Sequence, residues 1–121
     1  MDVEPAAPAE ADFDSPLLNN RQQLIVQLFD TDEIPRERAR AELETYWKDD
    51  GALIPELILY SSENPGKKEG VREALELLSV QSDQLLRNNR NRLAPYLEWV
   101  QKELGIDAEE LIQSLSDRIG N

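Results

Sequence analysis

Apolar residues recur every three or four positions along most of this chain, which is the spacing of one face of an α-helix. Turn-forming residues separate the periodic segments from one another. The predicted helices run at about 16–29, 35–48, 52–62, 66–80, 92–104 and 107–119, with a short helical turn at 82–86. No pair of strand-like runs accompanies them. The pattern therefore predicts an all-α fold of about six helices.

The most apolar stretch runs from Ala52 to Tyr60, where seven of nine residues are apolar. Nine residues are too few to cross a bilayer, which requires about 20 apolar residues, so the stretch belongs to a protein core. Pro55 fits the first turn of a helix, where backbone N–H groups have no intrahelical partner. We predict a buried helix here, with Leu57 in the core, at the centre of the fold.

Four local patterns predict where helices begin and end. Ser15-Pro16 resembles an N-cap followed by proline, and Asp107 with Glu110 resembles a capping box. Gly105 is a natural C-terminal stop. The polar stretch Arg87–Arg92 is predicted to be a connector or a frayed helix.

Charge divides the chain into two regions. Residues 1–15 hold five acidic residues and no basic one, a composition typical of a disordered tail. Residues 16–121 are predicted to form a single domain, which is also acidic because 20 acidic residues remain against 13 basic ones. A net charge of −12 argues against nucleic acid and anionic membranes as partners and favours basic ones.

Composition also limits the possible chemistry. The chain contains no histidine and no cysteine, which excludes histidine-assisted nucleophiles and thiolate zinc sites. No phosphate loop or metal-spaced set of ligands appears, so no cofactor is predicted. No apolar signal segment follows Met1. A cytoplasmic location is favoured, and an exported mature fragment stays open.

Several charged and aromatic positions have more than one interpretation. The mixed charges of the 35–48 helix, including Arg36 and Arg40, suit a solvated face better than a binding patch. Arg87, Arg90 and Arg92 could bind an anion, dock the acidic tail or lie in a solvated connector. Trp47 continues a buried stripe and is predicted to be core, whereas Trp99 lies off its stripe and is either exposed or covered.

One internal correspondence stands above background. Leu53-Ile54-Pro55-Glu56-Leu57 matches Leu93-Ala94-Pro95-Tyr96-Leu97 at an offset of 40. In the preceding helices Ala39 and Leu43 match Ala74 and Leu78 at an offset of 35. A two-helix unit of about 40 residues whose second helix opens with proline resembles the HEAT-type repeat of α-solenoid proteins.

The resemblance covers about residues 35–104. Further positions that carry it are Arg38 and Ala41, the segment Ile54–Leu59, and Val71-Arg72 with Leu75. It implies two HEAT-like hairpins flanked by capping helices, or a chain cut from a longer array. An unrelated compact helical bundle is the alternative fold.

The resemblance implies a non-catalytic protein-interaction or scaffold module. In such an array second helices lie side by side, so Glu56 becomes equivalent to Tyr96, Leu59 to Trp99 and Glu63 to Glu103. We expect Leu59, Tyr96 and Trp99 to form an apolar strip edged by the three glutamates, suited to a basic, amphipathic segment of another protein. The alternative is a carboxylate-based enzyme or a ligand-binding helical bundle. The oligomeric state stays open.

Overall fold

The structure, a computed structural model, describes residues 18–120. The predicted acidic tail and the Ser15-Pro16 cap lie outside these residues. Every regular element between residues 18 and 120 is helical, which confirms the all-α fold. The elements are α1 (Asn20–Leu28), α2 (Glu33–Tyr46), α3 (Leu53–Glu63), α4 (Lys68–Ser79), α5 (Asp83–Asn88), α6 (Arg90–Leu104), a 3₁₀ turn (Gly105–Ala108) and α7 (Glu109–Arg118). Six of the α-helices between residues 18 and 120 have nine residues or more, and α5 has only six residues. This agrees with the prediction of about six helices.

The helices form two layers. In one layer α3 lies between α1 and α6 and packs against both, and in the other α4 lies between α2 and α7. Short turns join successive helices, so the chain alternates between the layers, and α5 links α4 to α6. Side chains between the layers form one continuous apolar core.

The predicted centre of the fold is only partly right. Leu53, Ile54 and Leu57 of α3 are fully buried, as expected. However, α4 packs against α1, α2, α3, α6 and α7, and thus contacts more of the fold than α3 does. The organising helix is therefore α4, whose clean apolar stripe includes Val71, Ala74 and Leu75.

The first described helix begins later than predicted, at Asn20. Asn19 Oδ1 accepts a hydrogen bond from the Gln22 backbone N–H at 2.7 Å, and the Asn19 N–H donates to Gln22 Oε1 at 3.1 Å. This reciprocal pair is a capping box, which satisfies two donors at the helix start. Asn19 with Gln22 carries the N-terminal signal that the sequence analysis placed at residue 15.

Two other boundaries also differ from the prediction. The segment Arg87–Arg92, predicted to be a connector or a frayed helix, is almost entirely helical, because only Asn89 separates α5 from α6. The Asp107–Glu110 capping box is wrong, since a 3₁₀ turn covers Asp107 and no side chain caps α7. Gly105 does end α6 as predicted, and it has a positive φ of 65°, which glycine adopts without strain.

Gly70 allows the first turn of α4 to approach the end of α1. A Cβ atom built on Gly70 would lie 2.8 Å from the Phe29 Cα and would overlap the Phe29 ring. Phe29 itself is buried, and its ring meets that of Tyr60 edge-on with centroids 5.0 Å apart. The absence of a side chain at residue 70 therefore sets the distance between the two layers here.

Candidate protein-binding surface

Glu56, predicted to edge an exposed strip, lies in the interior with 2% of its surface exposed. Its Oε1 accepts from Arg21 Nε at 2.6 Å and its Oε2 from Arg21 Nη2 at 2.9 Å. Gln22 Nε2 donates to the same Oε2 at 3.3 Å. The hydrogen bond to Glu56 raises the pKa of Arg21. Glu56 thus joins α3 to α1, and its predicted exposure is wrong.

Tyr96 is also buried, with 4% of its surface exposed, so its predicted place in an exposed strip is wrong too. Its hydroxyl donates to Ser61 Oγ of α3 at 2.9 Å. Burial raises the pKa of this phenol, which keeps it protonated. Glu56 and Tyr96 share one cause for the error. Each lies on the flank of its helix that faces the preceding helix of the layer.

The other four predicted residues stay at the surface. Trp99 is half-buried, and its ring stacks on that of Tyr96 with centroids 5.9 Å and planes 26° apart. Leu59 is half-buried and, unlike Trp99, does not pack against the apolar core. Glu63 is exposed and Glu103 is half-buried. Their predicted role in binding a partner stays a prediction.

Helix periodicity places Leu59 and Trp99 more precisely. A step of three residues turns about 300°, so each lies about 60° around its helix from Glu56 or Tyr96. The next residues, Leu57 and Leu97, are buried and lie about 100° from Glu56 and Tyr96 in the opposite sense of rotation. Leu59 therefore lies on the outer side of the seam between α1 and α3, and Trp99 on the outer side of the seam between α3 and α6. Both residues therefore lie on the outer face of the α1–α3–α6 layer.

Two further apolar residues belong to this face and were missed by the sequence analysis. Val26 lies one helical turn after Gln22, the residue of α1 that contacts Glu56, and it is half-buried. Ile58 precedes Leu59 on α3, is half-buried and, like Trp99, also packs against the apolar core. We name the residues Val26, Ile58, Leu59 and Trp99 the apolar row. The spacing of Val26 from Gln22 places it on this face, but this could be inferred only once the contact between Gln22 and Glu56 was known.

The edges of the apolar row carry negative charge. Glu63 and Glu98 are exposed and Glu103 is half-buried, whereas Lys102 is the exposed basic residue on the same part of α6. Glu63 and Glu103 form no ion pair within residues 18–120. The row thus combines partly exposed apolar side chains with carboxylates that have no charged partner there.

The charges of α2 proved not to form a simple solvated face. Arg36 binds Glu69 at 3.0 Å, and Arg40 binds Glu73 at 3.0 Å and also pairs with Glu76. These contacts cross from α2 to α4, and the two arginine side chains are 12% and 30% exposed. The expectation of a solvated face is therefore wrong for Arg36 and Arg40, which hold two helices together.

Other candidate groups lie elsewhere. Trp47 is half-buried and packs against the core. Arg87, Arg90 and Arg92 are all exposed. Between residues 18 and 120 no three acidic side chains are grouped closely enough to hold a metal ion, and no helix there has the length and apolar character to cross a bilayer.

The chain matches no known protein family, no curated protein and no solved structure. The resemblance to HEAT-type repeats consequently stays a prediction.

Proposed function

We propose that this chain is a non-catalytic protein-interaction module, and that the outer face of its α1–α3–α6 layer binds a basic, amphipathic helix of another protein. The observation that supports this proposal is the apolar row, which crosses three adjacent helices with every member half-buried. Amphipathic helices bind such faces through apolar anchors spaced three or four residues apart.

Charge supports a basic partner. Glu63, Glu98 and Glu103 border the row, and the chain carries a net charge of −12. Complementary charge at the rim of an interface raises the association rate and selects the partner. Trp99 is suited to an anchor, because tryptophan is enriched among residues that dominate binding energy, and its stacking on Tyr96 holds the ring in place.

The state of the buried carboxylate also supports binding over catalysis. Glu56 is the one acidic residue buried among residues 18–120, and both of its oxygens accept hydrogen bonds from Arg21. A general base needs a free oxygen within hydrogen-bond reach of a substrate. Glu56 instead connects two helices.

The test measures binding of a synthetic amphipathic peptide with leucines on one helical face and lysines on the other, by isothermal titration calorimetry. Leu59→Ser should weaken binding about tenfold, because losing partial burial of a leucine costs about 1.5 kcal/mol. Glu63→Lys should also weaken binding and reduce its salt dependence. Since Leu59 does not pack on the core, thermal melts of the two variants should stay close to that of the parent.

Two matched variants lie in the other layer. Ile34→Ser removes an apolar side chain that is 72% exposed on α2, and Glu110→Lys reverses an exposed charge on α7. Both should bind the peptide like the parent chain. Equal affinities for the parent, Leu59→Ser and Glu63→Lys would refute the proposal. So would equal binding of a peptide with the same charge and no apolar face.

A further inference from the structure

Three exposed arginines lie within six residues of one another in the sequence, where α5 meets α6. Arg87, Arg90 and Arg92 are exposed, and we name them the arginine patch. No acidic residue occurs in the sequence between Asp83 and Glu98, and none lies in the first turn of α6. In a chain with almost twice as many acidic as basic residues, this is a local reversal of charge.

The arginine patch has no ion-pair partner within residues 18–120. Most other arginines in that range do form ion pairs, namely Arg21, Arg36, Arg40, Arg72 and Arg118. The acidic residue nearest to the patch in sequence is Asp83, which forms an ion pair with Arg118 at 2.8 Å. Guanidinium groups bind carboxylates through paired hydrogen bonds, so the patch suits an acidic peptide.

A segment of that chemistry is present in the same chain. Residues 1–15 contain Asp2, Glu4, Glu10, Asp12 and Asp14 and no basic residue. They precede α1, which lies in the same layer as α6 with α3 between them. Two interhelical spacings put the axes of α1 and α6 about 20 Å apart. An extended segment of 15 residues spans about 50 Å, so it is long enough to reach the patch.

We propose that the arginine patch binds the acidic segment formed by residues 1–15 of the same chain. The contact is electrostatic and lies at the surface, so it weakens with rising salt. It stands independently of the peptide-binding face, because it uses other residues and the opposite charge. Any other acidic chain that binds the patch has to compete with this segment.

The absence of cysteine makes a direct test possible in the full chain. Ala7→Cys introduces a single thiol, which can carry a nitroxide spin label. In the ¹⁵N-enriched protein we expect the amide signals of residues 85–93 to lose intensity, and reduction of the nitroxide to restore it. The loss should disappear in 1 M NaCl, where charges are screened beyond about 3 Å.

Two variants of the spin-labelled chain separate specific docking from general attraction. Combined Arg87→Gln, Arg90→Gln and Arg92→Gln should abolish the loss at residues 85–93. Arg38→Gln, at an exposed arginine of α2 outside the patch, should leave it unchanged. An intensity loss that survives the triple substitution, or that is equally strong around Arg38, would overturn the proposal.

A mixed sample separates contact within one chain from contact between copies. The ¹⁵N-enriched parent is combined with an unenriched, spin-labelled chain. We expect residues 85–93 of the enriched chain to keep their intensity. A loss in this mixture equal to the loss seen when one chain carries both the ¹⁵N enrichment and the spin label would show that the segment binds a second copy, which contradicts the proposal.

Discussion

Replacing Glu56 with alanine should destabilise the fold far more than the same change at Glu63 on the same helix. Glu56 is buried, and its two oxygens accept from Arg21 at 2.6 and 2.9 Å. Glu63 is exposed at the last residue of α3. The pair is matched in chemistry and in element, so the difference between the two variants measures the effect of burial and of the contact with Arg21.

The magnitude follows from what the substitution leaves behind. Removing one partner of a fully buried ion pair costs about 3–5 kcal/mol, because the other charge stays uncompensated. The Arg21 side chain is 15% exposed and lies 3.6 Å from Asp50, so water and a second carboxylate compensate part of its charge. We therefore expect Glu56→Ala to lower the free energy of unfolding by about 2–3 kcal/mol. Glu63→Ala should change it by less than about 0.5 kcal/mol.

Urea unfolding followed by far-ultraviolet circular dichroism measures both variants. With a denaturant slope of about 1–3 kcal/mol/M, the midpoint of Glu56→Ala should fall by about 0.7–3 M. The variant lacking both Arg21 and Glu56 should lose less stability than the sum of the two single alanine variants, because the two side chains interact directly. If Glu56→Ala and Glu63→Ala unfold at the same urea concentration, Glu56 is not held in the interior and does not join α3 to α1.

Two other predictions concern contacts between helices. Gly70→Ala should cost about 1–3 kcal/mol in urea unfolding despite the better helix propensity of alanine, because the new Cβ would lie 2.8 Å from the Phe29 Cα. Gly66→Ala, with no atom within 4 Å of the new Cβ, is its control, and equal stability of the two variants would contradict the close approach. Tyr96→Phe should cost about 1 kcal/mol through loss of the bond to Ser61, and an unchanged urea midpoint would argue against that bond. Because burial raises the pKa of Tyr96, the folded state retains this proton more tightly, so stability should fall as pH rises above about 10, and Tyr96→Phe should lessen that fall.

Periodicity predicted the elements well because most helices carry a continuous apolar stripe. The α4 stripe of Val71, Ala74, Leu75 and Leu78 lies in the protein core, and the apolar run of α3 is buried as expected. Gly105 ends α6, since glycine adopts a positive φ without strain. Such signals are local, and each can be read from a few neighbouring residues.

The misplaced residues are those whose surroundings depend on distant partners. No residue close to Glu56 in the sequence indicates its contact with Arg21, which lies 35 positions away. The same separation divides Tyr96 from Ser61. Arg36 and Arg40 were predicted to be solvated because their partners are on α4, far from them in sequence. The internal correspondence did not indicate those partners either, since at the offset of 35 the two arginines match the apolar residues Val71 and Leu75. Helical spacing shows which residues share a face, but it does not show what that face meets.

The offset of 40 explains why the errors at Glu56 and Tyr96 occurred together. Both residues face the preceding helix of the layer, and each makes a buried polar bond to it. Because the predicted repeat treats the two positions as equivalent, an orientation assigned wrongly to one was carried over to the other. Leu59 and Trp99 escaped this error, since three residues further along the helix turn them about 60° toward solvent. Of the four residues, Glu56 and Tyr96 therefore bind neighbouring helices. Leu59 and Trp99 lie beside them on the outer face of the α1–α3–α6 layer, which is the face that we propose binds a partner.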